Sequence, residues 1–266
     1  MARAYLKQIV IYPVKSAAGI LLMNSKVSHY GLQYDRCWML IDENNRFLSA
    51  RKLHKLVLIQ SQISETTLTL LAPGMSDFLL PLSDFWGPRL RVQIWNDECT
   101  AVYCGKEAQD WFSSFLGNSA RLVFMPGDFK RRVDPTYTEG PKSISFTDGY
   151  PFLLISEASL ADLNTRIGTR LEMARFRPNL VVEGCRSYEE DSWKIIRIGG
   201  IRFKIVKSCS RCVITTLDPK TAKAGKEPLR TLAGYRSNQG KVYFGQNLIH
   251  MEEGQISAGM PVEVLD

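Results

Sequence analysis

Lys207-Ser-Cys209-Ser-Arg211-Cys212-Val213-Ile-Thr-Thr-Leu217 is the stretch on which the fold turns. Two cysteines at C-x-x-C spacing, opening a helix inside a βαβ unit, would make a thioredoxin-like exchange site. Here the four residues after Cys212 are all β-branched, which predicts a strand over Val213–Leu217 and β-rich surroundings instead. The same spacing is half of a zinc or iron–sulfur site, but such sites need four ligands. No second C-x-x-C exists, and His29, His54 and His250 are scattered. The residues leave two alternatives open. One is a single thiolate beside Lys207 and Arg211, acting as nucleophile or soft-metal ligand; the other is a pair of buried structural cysteines.

Working outward, residues 1 to about 104 read as short strands between turn signals: Leu6–Tyr12, Cys37–Ile41, Leu56–Ile63, Thr66–Leu71 and Leu90–Trp95. Asp42-Glu-Asn-Asn45, Ala72-Pro-Gly74 and Trp86-Gly-Pro88 supply the turns. Ala108, Trp111, Phe112 and Phe115 at helical spacing predict a helix over Lys106–Leu116, stopped by Gly117. Arg121–Met125 reads as a strand and Pro126–Pro141 as a long polar loop, so a boundary falls within 118 to 142 and divides the chain into domains 1–120 and 121–266. Beyond it, Tyr150–Ile155 is a strand, and Ser156 caps a helix carrying Leu160, Leu163 and Ile167 up to Gly168. Asn179–Val182, Ile195–Ile198, Phe203–Val206 and Val262–Leu265 are further strands, interrupted by a short helix starting at Pro228. The class is mainly β with a few helices, an α+β arrangement of two β-rich domains.

Composition sets outer bounds. The 266 residues are 45% hydrophobic and 23% charged, with Gly 19 and Pro 12, which excludes disorder and fibrous repeats. The longest uncharged apolar stretch, Thr66–Ser76, is broken by Pro73 and Gly74 and falls short of the ~20 residues that cross a bilayer. Pro13 and Lys15 interrupt the first apolar run too early for a signal peptide, so the expectation is a cytoplasmic protein without membrane attachment. Six cysteines in a chain this long are expected to be thiols in a reducing compartment. Lys plus Arg number 34 against 27 Asp plus Glu, a net +7 that suits anionic cofactors, nucleic acid or acidic partners. Apart from Lys130-Arg131-Arg132 the basic residues are dispersed, so direct nucleic-acid binding is not expected.

Five other short clusters are weighed for chemistry. Lys15 and Ser16 in Pro13-Val-Lys-Ser16, with Asp35-Arg36, could grip an anion such as a phosphate, or simply decorate strand ends. In Arg175-Phe-Arg177-Pro-Asn179, Pro178 stiffens the start of a strand, leaving Arg177 and Asn179 to donate to an anion or a heterocycle edge, or to make a turn. Asp148, in Ser145-Phe-Thr-Asp148-Gly-Tyr150, is a candidate proton donor or pterin contact set against an ordinary turn aspartate. Phe244-Gly-Gln-Asn247 reads as a Gly-containing bend whose amides could read a heterocycle or simply make a turn, and Glu189-Glu-Asp191 as an acidic knot that could face a basic redox partner or simply be a solvated face.

In this order Tyr12-Pro-Val-Lys-Ser16, Tyr34-Asp-Arg36, Phe176-Arg-Pro-Asn179, Cys209-Ser-Arg-Cys212 with Thr215-Thr216, and Phe244-Gly-Gln-Asn247 resemble the MOSC molybdenum proteins. The likeness is to the bacterial YcbX-type proteins and the mitochondrial amidoxime reducing component, which pair an N-terminal MOSC-associated β-barrel domain with a MOSC domain. It implies a molybdenum cofactor, Mo-molybdopterin, with Cys212 as the protein thiolate on the metal. Lys15, Ser16, Arg36 and Arg177 would hold the pterin phosphate and ring, with Asn179 and Ser210 as secondary candidates. The implied activity is removal of oxygen from small N-hydroxylated substrates such as hydroxylamino-purines, amidoximes and hydroxylamines. Asp148 would be the nearby acid. YcbX-type proteins commonly carry a C-terminal plant-type [2Fe–2S] domain, and no four-cysteine motif for one follows Val262-Glu-Val-Leu265. Electrons are therefore expected from a separate flavoprotein reductase, ferredoxin or cytochrome b5-like protein. The alternative is a cofactor carrier, storage or sulfur-transfer protein without turnover. The sulfurases of this family add a pyridoxal-phosphate domain, for which two β-rich domains leave no room.

Overall fold

The structure is a computed structural model that describes residues 4–82, 85, 87–138 and 140–266. Trp86, part of one expected turn, lies outside them. The first part of the chain forms β1 (Ala4–Ile11), β2 (Ile20–Leu22), β3 (Asn24–Ser28), β4 (Gly31–Leu32), β5 (Trp38–Ile41), β6 (Gln60–Ile63), β7 (Thr67–Leu71), β8 (Phe78–Pro81), β9 (Arg89–Ile94) and β10 (Asp97–Tyr103). Helix α1 (Lys106–Leu116) and β11 (Arg121–Phe124) follow. The remainder is β12 (Phe152–Ser156), α2 (Glu157–Ile167), β13 (Leu180–Glu183), β14 (Ile195–Ile198), β15 (Ile201–Ser210), α3 (Leu229–Ala233), β16 (Ser237–Asn238), β17 (Lys241–His250), β18 (Gly254–Ser257) and β19 (Pro261–Val264).

Seven strands close on themselves in the order β12-β13-β1-β19-β14-β15-β17 and back to β12. Closure leaves none of the seven with an open edge along its paired length, and inward side chains such as Leu6, Ile9, Phe152, Leu180, Phe203 and Leu248 fill the middle. The β12–β13 pair is parallel; the other six are antiparallel. A four-stranded sheet, β5-β11-β10-β9, lies in the other half of the molecule. There α1 contributes Ala108, Phe112 and Leu116 to a core with Trp38, Leu40, Leu56, Leu70 and Leu122. Pairing crosses residue 120 in both directions, because β1 sits between β13 and β19 while β11 sits between β5 and β10. Among the described residues no helix is long and apolar enough to cross a membrane.

The helix signals act as their chemistry requires. Gly117 and Gly168 adopt φ of +69° and +76° and end α1 and α2 in the left-handed conformation. The Ser156 hydroxyl accepts from Ser159 N at 3.1 Å, capping α2. Glu190, fully buried, accepts from Ser156 N, Ser156 Oγ and Ser159 Oγ at 2.8–3.0 Å and ties that cap to the barrel.

Three readings are corrected. Val213–Leu217 is no strand: Val213–Thr216 is a 3-10 turn. The Thr215 and Thr216 hydroxyls donate to the carbonyls of Cys212 and Val213 at 2.9 and 2.7 Å, and this local bonding overrides β-branched propensity. Leu56–Ile63 begins as a second 3-10 turn, His54–Leu58, before β6. Phe244–Asn247 is no bend but the middle of β17, held by β12 on one side and β15 on the other. Gly245 keeps φ +81° there, and a Cβ on it would stand 2.6 Å from Ile155 Cγ1 and 2.9 Å from the Leu154 carbonyl oxygen.

Candidate functional site

The Tyr12–Ser16 segment leaves β1 and passes between the barrel and the four-stranded sheet, opening a cleft of about 360 Å³. Its floor is built on Tyr12, whose ring centroid lies 4.2 Å from the guanidinium carbons of both Arg36 and Arg177. Arg36 Nη1 donates to both Asp35 carboxylate oxygens, at 2.8 and 2.6 Å, and to Asn179 Oδ1 at 3.0 Å. Asp35 in turn accepts from Tyr12 N at 2.8 Å. Asn179 Nδ2 donates to the Val10 carbonyl at 3.1 Å, so one amide stitches β1, β12 and Arg36 together. Arg177 Nη1 donates to the Ala17 carbonyl at 2.5 Å. Burial pulls its guanidinium down to about 10, still charged at neutral pH, and pushes the Tyr12 phenol up to about 12, so that phenol stays a donor to the Pro178 carbonyl.

Above the floor, buried Lys15 donates from Nζ to Asp148 Oδ1 at 2.5 Å and to the Phe146 carbonyl at 2.8 Å. Burial lowers the affinity of this amine for its proton, against the pull of Asp148. For Asp148 burial works toward a neutral acid, but the Lys15 charge and hydrogen bond and the Trp95 indole outweigh it and hold the carboxyl well below its ordinary range. Its side chain is nevertheless 69% exposed, so Asp148 stands at the mouth, partly screened by solvent. Arg131 fixes the loop beneath, its guanidinium donating to the Ser145 carbonyl at 3.0 Å and to Asp97 at 2.8 Å.

Strand β15 delivers the cysteines. Arg211 Nη1 donates to Cys209 Sγ at 3.0 Å and Nη2 to the Phe176 carbonyl at 2.6 Å, so the guanidinium grips the first thiol rather than Cys212. Lys207 Nζ lies 5.2 Å over the Tyr137 ring. Cys212 is half-buried on the cleft wall, and among the described residues no hydrogen bond reaches its sulfur.

Residues 3–119 match the MOSC N-terminal beta barrel domain and residues 141–263 the MOSC domain. Mitochondrial amidoxime-reducing component 1 of Mus musculus is 38% identical over 280 residues, spanning 97% of this chain and 81% of its own. The Homo sapiens protein of that name is 37% identical, spanning 97% and 82%. Mitochondrial amidoxime reducing component 2 of Bos taurus is 36% identical, spanning 86% and 71%. The chain belongs to the amidoxime-reducing component family of two-domain MOSC proteins.

In this member of the family Lys15, Ser16, Arg36, Asp148, Arg177, Asn179, Ser210 and Cys212, drawn from five separate stretches of sequence, all line the one cleft. Their roles differ from a uniform ligand set. Asn179 is occupied by protein partners, and Asp148 is an ionised partner of Lys15, which argues against its use as a proton donor. The donor set suits an anionic, metal-bearing cofactor. Six cations, Lys15, Arg36, Arg51, Arg177, Lys207 and Arg211, line the cleft with Asp148, and Arg211 Nε and Thr147 Oγ1 are buried there without partners among the described residues. Among the described residues no cluster of three His, Cys, Asp or Glu could hold a metal by itself, so the cleft would suit a metal that brings most of its own ligands. Sequence reasoning missed Phe47, Arg51 and Trp95, which the four-stranded half contributes to the mouth.

Proposed function

We propose that this protein is a reductase of N-hydroxylated compounds that holds a molybdenum cofactor in the cleft through Cys212 and draws electrons from a separate redox protein. Membership of the amidoxime-reducing family makes it an oxidoreductase, and the observation that carries the finer reading is the half-buried Cys212 sulfur, without a hydrogen-bond partner among the described residues, on a wall of cations. For an amidoxime the balance is RC(NH2)=NOH plus two electrons and two protons giving the amidine RC(NH2)=NH and water. The bound cofactor supplies the two-electron oxygen-accepting chemistry. Lys15, Arg36 and Arg177 would neutralise its phosphate and pterin side, Ser16 and Ser210 would add hydroxyl donors, and Asn179 fixes Arg36 in place. Asp148 acts as a fixed acceptor for Lys15 Nζ and Trp95 Nε1, so protons reach the substrate oxygen from the solvent side of the mouth. The donor is a flavoprotein, a ferredoxin or a cytochrome b5-like protein. Six free thiols support a reducing compartment, and the cytoplasm is our assignment.

The test is molybdenum and pterin content, with turnover of an amidoxime by a chemically reduced viologen, in wild type and Cys212→Ala. About one metal per wild-type chain and loss of turnover in a folded variant is the expected result, since one thiolate is the protein's contribution to the metal. Undiminished turnover by Cys212→Ala would overturn it. Metal without turnover in the wild type would favour a carrier.

A further inference from the structure

The hairpin joining β9 to β10 turns on two residues, Trp95-Asn96, between the paired Ile94 and Asp97. Trp95 has φ +55°. Positive φ at the first position of such a turn is ordinarily supplied by glycine or asparagine, and a bulky side chain there is a backbone outlier. Outliers of this kind gather where geometry serves a ligand. Of nine non-glycine residues with positive φ among the described residues, four line the cleft: Ser16, Arg36, Arg177 and Trp95. The first three carry the motifs that announce the site, whereas Trp95 belongs to none of them.

What the strained turn achieves is the placement of one ring. Trp95 lies edge-on to Phe47 at 4.5 Å, and the Arg51 guanidinium carbon sits 4.3 Å over its indole. Its indole N–H donates to Asp148 Oδ1 at 3.1 Å. Trp95 is half-buried and Arg51 exposed, so this wall faces the mouth, while Lys15 is buried and the half-buried Arg36 and Arg177 guanidiniums lie against the Tyr12 ring. A cationic floor suits an anion. Flat indole and guanidinium surfaces suit a flat, π-delocalised molecule, because both favour stacked partners.

We infer that Trp95, with Arg51, is the substrate-selecting wall of the cleft, favouring aromatic N-hydroxylated compounds over aliphatic ones. The inference rests on the reductase reading above. It is tested on the cofactor-loaded full chain with benzamidoxime and acetamidoxime, which share the reacting N–O group and differ in the ring, using reduced viologen as donor. Trp95→Gly should lower kcat/KM for benzamidoxime about tenfold, mostly through KM, and leave acetamidoxime within about twofold, the size of one lost aromatic contact. Trp95→Phe keeps a ring but not the bond to Asp148, and should retain the preference within about threefold. Trp95→Leu, similar in packing but not aromatic, makes the same comparison if the glycine variant folds poorly. Equal losses for both substrates would mean that Trp95 acts through Asp148 and Lys15, and overturn the inference; so would an unchanged ratio. Independently of turnover, benzamidine should saturably quench tryptophan fluorescence in wild type and not in Trp95→Phe. Wild type that turns over neither substrate would defeat the reductase reading, and absence of that quenching would then defeat this one.

Discussion

On the floor of the cleft Arg36 directs its donors at Asp35 and Asn179, and Asn179 is bonded in turn to Val10 and Leu153. At the mouth Arg51 rests on one indole, and among the described residues it has no ion-pair partner. Both regions are cationic, but on the floor Arg36 is paired with Asp35 and Arg177 is held by the Ala17 carbonyl and the Tyr12 ring, so both are fixed by protein groups before any ligand arrives. At the mouth Arg51 is held by a single contact with the Trp95 ring. The floor therefore sets the geometry of the fold, and the mouth is where substitution should change recognition while leaving stability nearly intact. The sharpest way to break this distinction is Asp35→Ala, which strips a buried guanidinium of its carboxylate and is expected to cost about 3–5 kcal/mol. Arg51→Ala, exposed, should stay within about 0.5 kcal/mol. Urea unfolding of the two variants side by side decides it, and similar midpoints would erase the contrast.

A buried group without a partner sharpens the same rule from the other end of β17. His250 is 2% exposed, its Nδ1 makes no hydrogen bond among the described residues, and burial pushes the imidazole down to about 4, with Lys142 and His29 adding repulsion. The folded state therefore keeps it neutral while the unfolded chain takes up a proton below about pH 6.5. Stability from this group is complete above that value and falls as pH drops, by about 2–3 kcal/mol at pH 4.5. His250→Phe, placed beside Phe152 and Phe203, should lose much of that acid sensitivity when urea midpoints at pH 7 and 4.5 are compared. An unchanged slope would mean that other groups carry the acid response.

The contrast also explains what could be read from the sequence. Floor residues sit in short local motifs, with Lys15 beside Ser16, Asp35 beside Arg36 and Arg177 one residue from Asn179, because neighbouring residues cooperate in a tight turn. Helices α1 and α2 were legible from spacing and from glycine and serine caps, all local signals. Barrel closure was not, since it depends on β1 pairing with β13 and on β12 pairing with β17 across long stretches of chain. The mouth was the least legible: Trp95 occupies a turn without the glycine that marks turns, and its partners come from two distant segments, Phe47 and Arg51 from the connection after β5 and Asp148 from the loop before β12. Val213–Leu217 misled for a related reason, as threonine hydroxyls satisfied the backbone locally where side-chain branching alone favours a strand.

Gly245 gives a mid-sized test of the barrel wall. Gly245→Ala must accommodate φ +81° and a contact of 2.9 Å with the Leu154 carbonyl, and is expected to cost about 1–3 kcal/mol. Because β12 bears that carbonyl and also pairs with the strand after Asn179, the loss should appear in unfolding midpoints and in cofactor retention together. A variant as stable as wild type would show that the wall yields locally.

Asp148 combines a small expected effect on stability with a readable effect on charge, and it isolates the mouth. Its carboxyl is held below the ordinary range, so the Lys15 pair contributes above about pH 4 and is lost only as pH falls through the depressed value. Between pH 5 and 8 that contribution is constant. The side chain is 69% exposed, so Asp148→Asn should change stability by less than about 1 kcal/mol. Its effect on charge is larger. Removing one negative charge beside Lys15 Nζ should tighten inorganic phosphate about fivefold at low salt, and the gain should shrink as salt rises, since a unit charge a few ångströms away in a watery cleft is worth about 1 kcal/mol. Calorimetric titration at two salt concentrations measures this. Weaker phosphate binding would mean that Asp148 holds Lys15 in its binding position, and would move it from the mouth to the floor.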